Sequence, residues 1–228
     1  MASTQLGKHI GIIMDGNRRW AKSRGLPTLE GHRRGYEKMQ EVMEWAREAD
    51  ISFVTVYAFS TENWGRTPEE VSYLLDLFKE TLTVGLAKFK DQKVRVRCIG
   101  DRARFSEGLQ TLMRKAEAET ASFGGPTLVL ALSYGGRTEI IEGVRRAITE
   151  GVSTVTEQTF PSLLWSAGIP DPDIIIRTGG EKRLSGFLTW QSVYSELFFV
   201  DTFWPDFSKS EFQAILDEFG RRERRKGK

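Results

Sequence analysis

Asp15-Gly16-Asn17-Arg18-Arg19 follows the first apolar run of the chain and sets one acid beside two guanidinium groups and a glycine. These residue types suit phosphate oxygens. Guanidinium forks bind them in pairs, and backbone N–H groups freed by glycine add partial positive charge. A carboxylate at the tip of a strand can hold a Mg²⁺ that neutralises a diphosphate. Four more segments share this character: Ser60-Thr61-Glu62-Asn63-Trp64-Gly65-Arg66, Gly100-Asp101-Arg102, Ser133-Tyr134-Gly135-Gly136-Arg137 and Arg177-Thr178-Gly179-Gly180-Glu181-Lys182-Arg183-Leu184-Ser185. Each carries at least one arginine. The chain has no GxxxxGK(S/T), and Gly16 stands outside any GxGxxG, so neither standard nucleotide loop is present. Diphosphate chemistry is the reading that the loops support.

All five segments follow short apolar, β-branched runs. Strands are expected at 9–14, 53–59, 94–99, 127–132, 173–176 and 197–200, with helix-period segments at 31–49, 68–89, 104–122, 137–150, 159–166 and 208–225. Pro68-Glu69-Glu70 is a helix start with acids in the first turn, and Phe123-Gly124-Gly125-Pro126 is a stop. Strand–helix alternation predicts one α/β domain over 1–228, with a central, mostly parallel six-stranded sheet flanked by helices. In such a sheet ligands bind at the carboxyl ends of the strands, so the five loops are expected to converge on one edge.

Composition narrows the field. The 228 residues hold 33 Lys+Arg against 31 Asp+Glu, a net charge of +2 that gives no case for nucleic acid. With 39% hydrophobic and 28% charged residues, the chain is too apolar for disorder and too charged for a membrane span. Peripheral contact with a membrane is the most it should make. Cys98 is the single cysteine and His9 and His32 the only histidines, which excludes an internal disulfide and a Cys/His metal cluster. A cytoplasmic location is the expectation.

Taken singly, several features read as structure. Asp15-Gly16-Asn17 is a good turn, Ser60-Thr61-Glu62 a local cap, and His32 a capping or surface group at a helix start. Val71, Leu74, Leu75, Phe78, Leu82, Leu86 and Phe89 form a stripe of core type.

The combination is more specific than its parts. HIGIIMDGNRRWAKSRGLP, YAFSTENWGRTPEEV, CIGD, SYGGR, IIIRTGGEKRLSGFLTWQ, YSELFF and WPDF resemble, in order and spacing, the motifs of the cis-prenyltransferases, above all the bacterial undecaprenyl diphosphate synthase type. The resemblance runs from His9 to the tail. It implies a homodimer that adds isopentenyl diphosphate to an allylic diphosphate such as geranyl or farnesyl diphosphate, releasing diphosphate and creating a Z double bond in each cycle. It assigns Asp15 to catalysis and Mg²⁺. Gly16, Asn17, Arg18 and Arg19 would hold the allylic diphosphate, with Trp20 and His32 nearby. Ser60, Thr61 and Glu62 match a substrate-contacting segment, and Asn63 matches the position assigned to proton removal, with Trp64 and Arg66 beside it. Arg177, Arg183 and Ser185 match the isopentenyl diphosphate site, Leu184 lies among them as a substrate contact, and Glu196 matches a metal ligand. Arg225-Lys226-Gly227 resembles the Arg-x-Gly ending that reaches the partner subunit. The apolar stripe, with Ala58 and Leu128, becomes the wall of a tunnel for the growing chain.

Three positions depart from the resemblance. Arg18 stands where many members have a small residue. Thr28 stands for an arginine, which leaves a phosphate contact for Arg24 to supply. Lys182 replaces a metal-binding histidine, and a protonated lysine cannot ligate. A medium- or long-chain product such as undecaprenyl diphosphate is the leading expectation, with a short-chain Z-prenyl diphosphate as the alternative. A non-catalytic subunit would lack the Asp15-type loop and ranks lower, as does a hydrolase, for which no nucleophile–base pair is evident.

Overall fold

Six apolar segments pair into one sheet: β1 (His9–Ile13), β2 (Phe53–Ser60), β3 (Arg95–Ile99), β4 (Thr127–Tyr134), β5 (Ile174–Arg177) and β6 (Glu196–Phe199). The order is β3-β4-β2-β1-β5-β6, and every neighbouring pair is parallel. The structure is a computed structural model that describes residues 8–222. The expected sheet is therefore present, and it is wholly rather than mostly parallel. β1, β4 and β5 are buried at every position, which is why their sequences read as continuous apolar runs.

Alternate residues of the strands face two unequal layers. Ile10, Ile12, Val54, Val56, Leu128, Leu130 and Ile174 meet α2 (Thr28–Glu48), α3 (Pro68–Leu82), α4 (Val84–Asp91), α5 (Glu107–Thr120) and α7 (Lys209–Arg221) in the main core. Ile13, Val129, Ala131 and Ile175 face the other way, against Phe187 and Leu188, on the side carrying α6 (Gly136–Thr149). After β4 the chain crosses to the far side of β1. The carboxyl ends of β1 and β5 thus adjoin where the strand order reverses, the place where open α/β sheets bind ligands.

Three expected elements differ. Asn17–Ser23, where the sequence predicts no more than a turn over Asp15-Gly16-Asn17, is a seven-residue helix, α1, with only Trp20 and Ala21 buried and no acid in its first turn to signal it. The helix expected over 68–89 is two helices that meet at Thr83 (φ −120°, ψ −82°). Thr81 and Thr83 each donate Oγ1 to a carbonyl four residues back, at 2.7 Å, and such back-bonding bends helices. The segment 159–166 holds only a 3₁₀ turn, Phe160–Leu163, with Pro161 in it. The last helix ends at Arg221, and Arg225-Lys226-Gly227 lie outside the described residues.

Candidate active site

The loop after β1 is shaped by close packing. Gly16 has φ +105°, and a Cβ on it would lie 2.7 Å from the Phe203 ring, so only glycine fits between β1 and α1. α2 comes equally close: a Cβ on Gly31 would sit 2.1 Å from the Asn17 carbonyl oxygen. The Asp15 carbonyl is held by Trp204 N at 3.0 Å and Thr178 Oγ1 at 2.7 Å. This clamp aims the Asp15 side chain at Arg177, whose Nη2 donates to Oδ2 at 2.8 Å, and at Arg19, whose Nη2 donates to Oδ1 at 3.1 Å. Burial alone would push the Asp15 carboxyl up. The hydrogen bond and charge of Arg177, joined by Arg19, outweigh it and hold the group below the usual carboxylate range. Asp15 is ionised, and its side chain keeps 29% of its surface exposed.

A cleft of about 680 Å³ opens above it, lined by Asp15, Gly16, Asn17, Arg18, Arg19, Lys22, Thr28, His32 and Arg66. At its inner end Glu70, buried in the first turn of α3, accepts from Arg66 Nη1 and from His32 Nε2, both at 2.9 Å, and Arg18 Nε stands 3.9 Å away. Burial favours a neutral imidazole on His32 and would raise Glu70, but for Glu70 the His32 bond and the charges of Arg66 and Arg18 prevail. A carboxylate can only accept, so Nε2 of His32 carries the proton.

Met14, Asn17, His32 and Arg66 also line the mouth of a second, inner space. This apolar cavity of about 120 Å³ runs between α2, α3 and the sheet, walled by Met39, Ala58, Leu74, Leu77, Phe78 and Leu130. Of the residues expected to wall a tunnel, Ala58, Leu74 and Phe78 line this cavity; Leu130 rather than Leu128 joins them, while Leu128, Leu82, Leu86 and Phe89 are buried in the main core and Val71 and Leu75 pack against it.

A third space of about 550 Å³ lies across Tyr57 and Asn63, lined by Ser60, Thr61, Glu62, Gly136, Arg137 and Ser185. Asn63 and Tyr57 line both it and the apolar cavity. Ser185 is held in the left-handed region (φ +50°), which turns its Oγ toward Arg177 Nη1 at 2.9 Å. Arg177, 5% exposed, thus bridges Asp15 in one cleft and Ser185 in the other.

Several expected substrate contacts do not meet here. Trp20 is buried, its Nε1 donating to Asp206 at 2.8 Å, and it does not line the cleft. Arg24 stacks on Trp20 and pairs with Asp206 at 2.9 Å, so it does not stand in for an arginine at Thr28; Lys22 is the cation in that part of the cleft. Trp64 packs on Phe59 and Phe105 and donates to Ser133 Oγ at 3.0 Å. Leu184 packs against the smaller core, and Arg183 is exposed and paired with Glu181. Asn63 Oδ1 accepts from Ser60 N at 3.0 Å, capping the 3₁₀ turn that follows β2. Glu196 opens β6 at the level of Ile10, so about 10 Å of strand separates it from the level of Ile13, two residues before Asp15, and it pairs with Arg222 at 2.7 Å. Among the described residues no three His, Cys, Asp or Glu side chains gather into a metal site. Lys182 is exposed on its loop.

Glu70 and Lys22 escaped sequence reasoning. Glu70 was legible only as a helix-start acid, although its spacing four residues after Arg66 is that of a helical ion pair.

Comparison with known proteins joins these observations. The model of a family described as putative undecaprenyl diphosphate synthase matches residues 13–227. An isoprenyl transferase of Chromobacterium violaceum is 47% identical over 97% of this chain and 88% of its own, and one of Thermotoga maritima is 43% identical over 98% and 97%. Among solved structures, lavandulyl diphosphate synthase of Lavandula x intermedia, in complex with dimethylallyl diphosphate, superposes with a TM-score of 0.93 at 32% identity, covering 98% of this chain and 99% of its own. A probable undecaprenyl diphosphate synthase of Campylobacter jejuni superposes with a TM-score of 0.84 at 36% identity, with the same coverage.

Proposed function

The chain belongs to the undecaprenyl diphosphate synthase family and is a prenyltransferase, and from this premise we propose that it condenses isopentenyl diphosphate with an allylic diphosphate, geranyl or farnesyl, to form a Z double bond. One observation carries the proposal: two polar clefts, bridged by Arg177, open onto a single apolar cavity. The allylic diphosphate belongs in the cleft of Arg18, Arg19 and Arg66, with its hydrocarbon in the cavity. The dimethylallyl diphosphate bound by the lavandulyl diphosphate synthase supports an allylic substrate. Isopentenyl diphosphate belongs beside Ser185 and Arg177, with the segment Ser60-Thr61-Glu62 at hand.

Breaking the allylic C–O bond leaves an allyl cation and a departing diphosphate. Arg19 and Arg66 are held by Asp15 and Glu70, with Arg18 beside them in the cleft, so cationic groups stand ready for the negative charge that develops. Bound Mg²⁺ would supply further Lewis-acid neutralisation of the diphosphate. Asp15, ionised and partly exposed, is the residue that would hold it, through carboxylate oxygen. Glu196 sits too far along β6 to share it. The double bond of isopentenyl diphosphate then attacks the cation, and a proton leaves its C2. Asn63 stands between the second cleft and the cavity with its Oδ1 engaged on Ser60. An amide is a feeble base, so Asn63 orients the proton and a diphosphate oxygen accepts it.

Each added unit buries about five apolar carbons, at about 0.8 kcal/mol for each CH₂-sized group, so elongation runs downhill while the cavity has room. The family supports a medium- or long-chain product such as undecaprenyl diphosphate. The second reading, a short-chain Z-prenyl diphosphate, is favoured by the small volume of the cavity. A homodimer belongs to the proposal. Ile141, Val144 and Ile148 form an exposed apolar stripe on α6, Ile148 at 75%, and Val193 and Tyr194 stand out at 72% and 68%. No described helix is long and apolar enough to cross a membrane, so lipid contact would be made from the surface, and a cytoplasmic site of action is part of the same proposal.

Incubation with isopentenyl diphosphate, Mg²⁺ and a panel of allylic diphosphates, followed by mass analysis, tests the reading. Products longer by whole five-carbon units support it. Absence of condensation with every primer sinks it.

A further inference from the structure

Gly100, Asp101, Ser133 and Trp64 belong to the polar strand-end segments, yet they line none of the three spaces described above. Ser133 is nonetheless held in an unfavourable conformation. It is fully buried, and its backbone lies in the left-handed region (φ +49°), which residues with a Cβ seldom adopt. Phe59 pairs with Leu132 but Ser60 pairs with Tyr134, which leaves Ser133 as the extra residue of a bulge in β4. The end of β3 supports that bulge. Gly100 has φ +116°, and a Cβ on it would lie 2.0 Å from the Leu132 carbonyl oxygen, while Asp101 N donates to the Ser133 carbonyl at 3.2 Å.

A bulge takes a side chain out of the alternation of its strand and gives it a new aim. Here Ser133 Oγ accepts from Trp64 Nε1 at 3.0 Å. Trp64 follows Asn63 in the 3₁₀ turn Thr61–Gly65, a kind of turn with poor internal hydrogen-bond geometry. Two bonds brace that turn from within its own segment: Ser60 N to Asn63 Oδ1, and Arg66 N to the Asn63 carbonyl at 3.1 Å. The bond from Trp64 to Ser133 ties it instead to the neighbouring strand. The indole is well placed for this, with Phe59 and Phe105 at 4.9 and 5.4 Å between ring centroids and the Arg104 guanidinium 4.9 Å over its ring.

We propose that Ser133 is a positioning residue for the transfer step: through Trp64 it fixes the turn that presents Asn63 between the second cleft and the apolar cavity. This rests on the prenyl-transfer reading, in which Asn63 orients the departing proton, and deepens it by naming what holds Asn63 in place. The left-handed backbone at Ser133 is retained because it brings the hydroxyl to the indole. A misplacement of about 1 Å at a reacting centre costs about 10²-fold in rate, so loss of this tie should lower turnover about 10- to 100-fold.

The test measures kcat and KM with isopentenyl diphosphate, Mg²⁺ and farnesyl or geranyl diphosphate, with thermal melting in parallel. Wild type is compared with Ser133→Ala, Ser133→Gly, Trp64→Phe and the double variant Ser133→Ala/Trp64→Phe. Each single variant should lose kcat to that extent while KM for the allylic diphosphate stays within a few-fold, because Glu70 holds Arg66 independently of the tie. Glycine suits a positive φ, so Ser133→Gly should melt above Ser133→Ala and yet turn over as slowly. The double variant should be no slower than the slower single one, since both changes remove the same bond. Turnover near wild type in folded Ser133→Ala overturns the proposal, and so do turnover that follows melting and losses that multiply in the double variant. If neither Ser133 variant folds, Trp64→Phe decides the matter, and near-normal kcat in it overturns the proposal. Failure of wild type to condense at all overturns the prenyl-transfer reading and this proposal with it, a result distinct from condensation that the variants leave unaltered.

Discussion

Replacing Asp15 by Asn separates the chemical role of that carboxylate from its structural one. In the folded protein it accepts from Arg177 at 2.8 Å and Arg19 at 3.1 Å. A charge-assisted hydrogen bond contributes about 1.5–3 kcal/mol, and the amide of Asn still offers one acceptor oxygen. The loss of folding stability should therefore lie near the bottom of that range, about 1.5 kcal/mol. For a chain of this size that lowers the melting temperature by about 3–6 °C. The loss of activity should be far larger, because the variant can no longer anchor a cation where the diphosphate departs. Removing one preorganised electrostatic group of this kind costs about 10²–10³ in turnover, and a metal anchor contributes several kcal/mol more, so a fall of at least about 10³ is expected. The assay pairs ligand-free melting with steady-state incorporation of labelled isopentenyl diphosphate. Binding of an unreactive allylic diphosphate analogue without Mg²⁺ should stay within a few-fold of wild type, since Arg18, Arg19 and Arg66 remain. A variant that melts a few degrees lower yet keeps turnover within tenfold would show that Asp15 only braces the two arginines.

Ala58 is small and lines the cavity, so Ala58→Leu should shorten the product; an unchanged length by radio-TLC would refute this. Asn63→Asp keeps the cap on Ser60 N and should melt close to wild type while losing turnover, whereas Asn63→Ala should lose turnover and about 1 kcal/mol of stability; near-normal turnover in both would remove Asn63 from proton transfer. His9 is sealed between the Pro170 carbonyl at 2.6 Å and Thr55 Oγ1 at 2.7 Å, and burial pushes its pKa down to about 4 from an ordinary 6.5. Between those values the unfolded chain binds the proton first. The stability concerned is complete above pH 6.5 and drains away as the pH falls toward 4, about 3 kcal/mol in all. Urea unfolding at pH 7 and pH 4.5 should show this loss in wild type and a much flatter response in His9→Gln; equal slopes would contradict it.

The strands were legible because a parallel sheet covered on both faces needs runs such as Ile174-Ile175-Ile176, and the polar loops were legible because arginine, glycine and acids stand out against such runs. What escaped depends on contacts between distant residues. α1 carries no acid in its first turn, and its short apolar face, Trp20 and Ala21, is too brief to show a period. The break at Thr83 comes from threonine hydroxyls turned onto their own helix, which an apolar stripe does not reveal. Trp20 and Arg24 look like ligand contacts beside Asp15, yet Asp206, far along the chain, claims both.

The most direct measurement of the central claim is diphosphate release against consumption of isopentenyl diphosphate, with and without Mg²⁺, and with the geometry of the new double bond read by NMR. The account predicts one diphosphate released for each isopentenyl diphosphate consumed, a Z configuration at each new bond, and loss of both signals when the metal is chelated. Diphosphate release without consumption of isopentenyl diphosphate, or an E double bond, would contradict it.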